Sequence, residues 1–296
     1  MNHGYAQRIE QARNAIKNTD YVIVGAGAGL SDAAGLKYSG SRFTDNFRPF
    51  IEKYKFTDLY TSSFYPFKTE EERWAYWAKH ISLNRYETPA TPLYKDVFQL
   101  IRDKDYFVIT TNVESQFYKA GFKPEKIFAV QGDYGLLQCA NACHNRLYDN
   151  EKLVAQMLAQ TSDCKIPTNL VPHCPVCGAN MEVNLRKDDC FVEDENWKIA
   201  DKRYNRFITN AVCGNLVLLE LGVGFNTPVI IRYPFEQITF QNKHVTLIRI
   251  NTQHAFGPAE NTSKSILFSE DMSRTINELN NIKCTTFGIP GMVALK

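Results

Sequence analysis

A short strand-favouring run, Tyr21-Val-Ile-Val24, passes directly into Gly25-Ala-Gly27-Ala-Gly29-Leu-Ser31. Such a pattern calls for a strand, a turn tolerant of close approach and unusual φ, and then a helix start. Turns of this kind present backbone N–H groups and partial positive charge to an anion. The stretch therefore predicts a phosphate-bearing ligand, a dinucleotide among the candidates, with a plain tight turn as the alternative. The dehydrogenase spacing G-x-G-x-x-G fails, because its last position falls on Leu30 counted from Gly25 and on Asp32 counted from Gly27.

Further strands are expected at 106–110, 127–130, 181–185, 215–221 and 245–250, with helices at 5–18, 68–86, 91–104, 151–160, 195–210 and 273–282. Strands alternating with helices predict an α/β fold with a parallel sheet. Ligands of such sheets bind outside the carboxyl ends of the strands. Asn112 and Glu114 follow one strand, Gln131 follows another, and Gly222-Val-Gly224-Phe-Asn226-Thr227 forms a second glycine-rich tip. Asn251 ends the last clear strand. These tips converge on one crevice. Residues 36–43 read equally as a lid over it or as an ordinary surface loop. Trp74, Trp77 and Ile81 recur at helical spacing and are expected in the core. Glu220, inside an apolar run, is expected to be a paired core carboxylate.

Lys+Arg of 34 against Asp+Glu of 32 leaves a formal charge of +2. That balance gives no electrostatic case for nucleic acid. No apolar run is long enough for a membrane span, and residues 1–20 lack a signal peptide's apolar core, so the cytoplasm is expected. Eight cysteines in that setting are thiols or metal ligands rather than disulfides. Cys139 and Cys143 form C-x3-C; Cys174 and Cys177 form C-x2-C closed by Gly178. Four thiolates on two short turns suit structural zinc, with buried reduced thiols as the alternative. His144 and His173 flank the pairs and could substitute as ligands, but adjacency alone does not place them in the expected set. Cys164, Cys190, Cys213 and Cys284 show no pairing pattern and are expected in the core.

The order of these motifs resembles the sirtuin family of NAD-dependent deacylases and ADP-ribosyltransferases. Gly27-Ala-Gly29-Leu-Ser31 with Gly35-Leu36 is similar to its G-A-G-I-S…G-I turn. Thr110-Thr-Asn112-Val-Glu114 with Ala120-Gly121 is similar to T-Q-N-I-D…A-G, and Gln131-Gly132 stands at its H-G pair. The cysteine pairs resemble its zinc module, Gly222-Val-Gly224 its G-T-S turn, and Ile250-Asn251 its late I-N pair.

The resemblance implies a Rossmann-like large domain over 1–133 and 191–296, and a small zinc-binding domain over 134–190, with a second insertion within 37–90. It implies NAD+ as co-substrate, with Gly27, Ala28, Gly29 and Ser31 around the pyrophosphate. Asn112 and Glu114 would line the nicotinamide pocket, Gln131 would hold the ribose, and Gly222, Gly224, Asn226 and Asn251 the adenosine side. Arg42 and Phe43 would close over the nicotinamide.

The family's catalytic histidine is replaced by Gln131, and an amide cannot take a proton at neutral pH. This departure resembles the macrodomain-linked sirtuins. It implies mono-ADP-ribosylation of a protein acceptor, a lipoylated glycine-cleavage-H-like carrier, with Asn112 and Gln131 as catalytic residues and a macrodomain hydrolase as functional partner. The alternatives are a deacylase working without the histidine, an inactive NAD-binding sensor and an NAD glycohydrolase.

Overall fold

The computed structural model describes residues 4–281. Its nine strands are Tyr21–Ala26 (β1), Asp105–Thr110 (β2), Ile127–Ala129 (β3), Gly132–Cys139 (β4), Tyr148–Asp149 (β5), Met181–Leu185 (β6), Leu216–Leu221 (β7), Val245–Ile250 (β8) and Ser265–Phe268 (β9). Six form one parallel sheet in the order β3-β2-β1-β7-β8-β9. Numbered within that sheet, the order is 3-2-1-4-5-6, the doubly wound Rossmann arrangement. The order reverses between β1 and β7, so the crevice for a ligand opens between their carboxyl ends. The expected α/β fold is observed.

Burial explains the long apolar runs. Every residue of β7 is buried, as a strand covered on both faces requires. Alternation splits β1 between two cores: Val22 and Val24 pack with Ile9, Ile16, Leu93 and Val97, whereas Ile23 packs with Phe207 and Phe235. Ile9, Ala12 and Ile16 form the buried stripe of the helix Tyr5–Asn18, matching the expected spacing.

The other three strands make a small antiparallel sheet, β5-β4-β6. A third core lies against it, where Phe43, Phe47, Trp74 and Tyr76 join Leu137, Met157 and Val183. Trp74 and Ile81 are fully buried and Trp77 nearly so, as the stripe predicted. The single helix expected over 68–86 is instead an α-helix, Glu70–Ile81, that continues as the π-helical turn Ser82–Tyr86. Among the described residues, no helix is long and apolar enough to cross a membrane.

Some expectations fail. Cys164 is buried, but Cys190 and Cys213 are exposed, so the core assignment was wrong for those two; Cys284 lies outside the described residues. Residues 36–43 are not loop throughout, because Ser41–Asn46 is a helix. β4 and β9 and the helix Arg232–Gln241 are further elements beyond those expected. β4 carries two glycines and Gln138, which mask its strand pattern. The helix has Pro234 in its first turn and weak apolar periodicity.

Glu220 is a paired core carboxylate, as expected. Its Oε1 lies 2.7 Å from Arg249 Nε, and its Oε2 accepts a 2.8 Å bond from Arg249 Nη2. Arg232 stands 3.8 Å away, and Glu236 contacts Arg249 at 2.8 Å. Both arginines and Glu220 are essentially without solvent contact. Removing one partner strands a buried charge. We expect Glu220→Ala to destabilise the protein by about 3–5 kcal/mol, read from urea unfolding. A loss below about 1 kcal/mol would show that the network contributes little beyond shape.

Candidate functional site

The crevice begins with contact between the two glycine turns. Gly29 N–H donates 3.0 Å to Gly222 O, and Gly27 N–H donates 3.0 Å to Leu221 O. A Cβ on Gly222 would come within 2.3 Å of Leu30 N and 2.4 Å of the Gly29 carbonyl carbon. Gly222 also sits at φ +62. Only glycine meets both conditions. The glycines thus let β1 and β7 tips pack backbone to backbone, and the N–H groups of Gly27 and Gly29 are used there. Ala28 is left exposed at the apex.

From this junction the helix Ala28–Ala33 carries Ser31 inward. Ser31 Oγ donates 2.6 Å to Glu114 Oε1, and Tyr94 OH reaches the same oxygen at 3.0 Å. The two hydroxyls are 2.8 Å apart. Asn112 Nδ2 bridges from Gly27 O to Tyr94 OH, 3.0 Å to each. Glu114 Oε2 accepts from Val113 N–H at 3.0 Å. Ser31, Tyr94 and Glu114 are all buried. A carboxylate offers about four acceptor positions, and these three bonds leave one, on Oε2. Tyr94 was missed in the sequence, where it sits beside the apolar stripe Leu93, Val97 and Ile101 of the helix Pro92–Ile101. A tyrosine on a buried face needs a partner for its hydroxyl, and that was the available signal.

The phenols around this carboxylate stay protonated. Burial first, and the charge of Glu114 second, push Tyr94 well above its ordinary value. The same causes, in the same order, push Tyr38 up to about 12. Tyr38 OH lies 2.9 Å from Tyr134 OH. Burial lowers the guanidinium of Arg42, opposed by Tyr38, Tyr134 and Glu114 nearby. Arg42 is therefore one cation near the cluster, carried by the helix Ser41–Asn46, and its guanidinium donates to the carbonyls of Lys37 and Leu83 at 3.3 Å each. Phe43 does not face the cluster: it is 1% exposed and stacks on Phe47 at 5.5 Å, so in this arrangement it belongs to the core rather than covering the crevice.

Gln131 stands between β3 and β4. Its carbonyl accepts from Arg186 N–H at 3.1 Å, and its Nε2 lies 3.4 Å from Thr227 Oγ1 on the second glycine turn. The next residue must be glycine: Gly132 has φ +97, and a Cβ there would fall 1.9 Å from Asn184 O. Ser115, just beyond Glu114, also takes a left-handed φ of +61. Its Oγ donates 2.5 Å to Asp133, which is paired with Arg85 at 2.7 Å. Asn251 Nδ2 donates 2.9 Å to Val223 O, and its Oδ1 accepts from Gln253 and His254 N–H. It braces the β8 turn against the β7 turn. Gly224 and Asn226 lie on the open part of that turn.

The structure therefore brings Ser31, Asn112 and Glu114 into one hydrogen-bonded group. Gln131 is held at the β7 turn, and Gly27, Gly29, Gly222 and Asn251 join the turns to one another.

The four cysteines expected to bind metal converge as well. Cys139 ends β4, and Cys174 opens a knuckle in which Gly178 N–H donates 2.9 Å to Cys174 O. The Sγ atoms of Cys139, Cys143, Cys174 and Cys177 all lie within 4.8 Å of one another. Cys139–Cys177 and Cys143–Cys174 are each separated by 3.6 Å. Tetrahedral zinc with bonds of about 2.3 Å spaces its sulfurs by about 3.8 Å, so the cluster fits the ion. Burial opposes ionisation of Cys174, but N–H groups of Cys177 and Val176 outweigh it and bring the thiol to about 6. A thiolate ligand is favoured there. His144 Nδ1 lies 3.0 Å from Cys143 Sγ and its Nε2 2.9 Å from Tyr148 OH. It adjoins the cluster from outside.

No family model matches the chain. A protein ADP-ribosyltransferase of Staphylococcus aureus is 35% identical over 271 residues, covering 91% of this chain and 86% of that protein. A probable bifunctional ADP-ribose hydrolase/ADP-ribosyltransferase of Fusarium oxysporum f. sp. cubense is 34% identical over 254 residues, 81% of this chain, which spans 41% of that protein's length. The fold is similar to that of a Sir2 homologue in complex with NAD, with TM-score 0.56, 16% identity and coverage of 92% of each chain. It is also similar to a Sir2 homologue with ADP-ribose, with TM-score 0.55, 15% identity and coverage of 92% of this chain and 94% of that one. With the Rossmann strand order, the four-cysteine cluster and the S. aureus relative in agreement, the chain belongs to the family of sirtuin-fold protein ADP-ribosyltransferases.

Proposed function

We propose that this chain is an NAD+-dependent protein mono-ADP-ribosyltransferase, moving ADP-ribose from NAD+ to a protein acceptor with release of nicotinamide. The observation that carries this reading is Gln131, an amide at the β3 tip where deacylase chemistry needs a base. It holds a hydrogen-bonding group beside the β7 turn and cannot take a proton at neutral pH. The names of the S. aureus and F. oxysporum relatives support transfer.

Loss of nicotinamide makes the anomeric carbon cation-like, and the acceptor nucleophile then takes that carbon. A protein assists by positioning the ribose and by matching the developing charge. Asn112 and Gln131 are the residues we assign to that task. The free acceptor position on Glu114 Oε2 suits one N–H of the nicotinamide carboxamide. Tyr94 and Ser31 hold the carboxylate still, so its geometry is set before the ligand arrives. Arg42 supplies positive charge near the same pocket. Gly222, Gly224, Asn226 and Asn251 form the adenosine side, and Ala28 and Ser31 flank the pyrophosphate. Zinc, bound by the four cysteines, supplies structure at a distance from this chemistry.

The acceptor we favour is a lipoylated carrier protein of the glycine-cleavage-H type, in the cytoplasm. A macrodomain hydrolase is its proposed functional partner. Support for a hydrolase comes from the F. oxysporum relative, whose name joins hydrolase and transferase in one protein. The test is nicotinamide release from NAD+ with and without the lipoylated carrier. Release that depends on the carrier is expected. Equal release in its absence would assign the chain to NAD hydrolysis instead, and no release in either case would make it a sensor.

A further inference from the structure

The two turns that carry Glu114 and Gln131 are tied to one another by a single carboxylate. Asp133 is the second residue of β4 and follows Gln131 by two positions. Its Oδ2 accepts 2.5 Å from Ser115 Oγ, on the turn just beyond Glu114. Its Oδ1 accepts 2.7 Å from Arg85 Nε and 2.6 Å from Gly135 N–H. Alongside, Tyr134 N–H donates 3.0 Å to Val113 O. Three of the roughly four acceptor positions on Asp133 are thus spent within the protein. Such a group acts on a reaction through what it holds.

What it holds is constrained. Ser115 is buried at φ +61, a conformation that a residue with a side chain keeps where its neighbours enforce it. The residues after it anchor the turn from behind. Gln116 Oε1 accepts 2.9 Å from Thr91 N–H, and its Nε2 donates 3.1 Å to Pro89 O. Lys119 Nζ donates 2.6 Å to Thr88 O and also bonds Arg85 O. Arg85 lies in the π-helical turn Ser82–Tyr86, and insertions of that kind recur at functional sites. A Cβ on Gly135 would come within 3.1 Å of both Arg85 Nε and Asp133 Oδ1, so β4 itself leaves room for the pair. The Glu114 turn is therefore fixed to the segment 85–91, and Asp133 joins that assembly to the Gln131 turn.

We infer that Asp133 is a positioning residue for ADP-ribosyl transfer, setting Gln131 against Glu114 through its bonds to Ser115 and Arg85. The inference rests on the proposed NAD+ reading and adds to it a residue that acts through others. Misplacing a reacting group by about 1 Å costs about 100-fold in rate. Binding of the rest of the dinucleotide does not depend on that spacing.

Two measurements on the full chain test it: single-turnover nicotinamide release from NAD+ with the lipoylated carrier, and calorimetric titration with ADP-ribose. Ser115→Gly suits φ +61 and removes the hydroxyl, so the turn is kept while its bond to Asp133 is lost. Asp133→Asn keeps the shape of the side chain and removes its charge. Each is expected to slow release about tenfold and to leave ADP-ribose affinity within about twofold. Both break the same link, so the double variant is expected to be no slower than the slower single one. Full rate in Ser115→Gly, a double loss equal to the product of the single losses, or ADP-ribose weakened as much as the rate would overturn the positioning role and leave the NAD+ reading intact. A wild-type chain that neither releases nicotinamide nor binds ADP-ribose would overturn that reading, and the inference with it.

Discussion

Gln131→Ala lowers the rate of ADP-ribosyl transfer about 100-fold, the loss expected when one pre-organised hydrogen-bonding group that positions the reacting ribose is removed. Affinity for NAD+ changes by less than about threefold, because the fall is in kcat and uniform binding is kept. The glutamine is fixed on both sides. Its carbonyl is tied to Arg186, the following glycine cannot be replaced without striking β6, and its amide meets Thr227 on the opposite turn. Removing the amide deletes one hydrogen-bonding group and leaves that frame in place. Single-turnover rates with saturating NAD+ measure the effect. A variant as fast as the wild type would remove Gln131 from the chemistry.

The second large effect concerns the cysteine cluster. Cys174→Ser with Cys177→Ser is expected to reduce zinc from about one ion per chain to none, and to lower the unfolding midpoint by at least about 10 °C. The reason lies in the small sheet: β5 has two residues, and β4 and β6 converge on the metal-binding end. Zinc bound by the folded chain and not by the unfolded one stabilises by mass action. Elemental analysis and thermal unfolding read the two parts separately. A wild-type chain with no bound metal after preparation in zinc would contradict the assignment.

How much of this was legible beforehand follows from which contacts are local. The strand–glycine–helix turn at 21–31 and the cysteine pairs carry their meaning in short spacings, and both folded as expected. Sequence-remote contacts were less visible. That Gly29 must be glycine because Gly222 lies against it depends on two strands whose paired residues are 195 apart in sequence becoming neighbours. Tyr94 looks like one more apolar position until the fold sets it beside Glu114. Phe43 reads as a loop aromatic near a ligand, and only the packing of Phe47 and Tyr76 reveals its place in the core. Cys190 and Cys213 were assigned by residue type alone, and residue type does not report whether a turn faces solvent. Glu220 was the reverse case: an acid in an apolar run must be paired, and Arg249 is the partner.

The central claim is that Gln131 retains positioning and drops the base, which favours transfer over deacylation. Mass spectrometry of a lipoylated carrier protein, incubated with the chain and NAD+, tests it most directly. The account predicts a carrier that gains one ADP-ribose per nicotinamide released and keeps its lipoyl group. NAD+-dependent loss of the lipoyl group, with no ADP-ribose on the carrier, would contradict it.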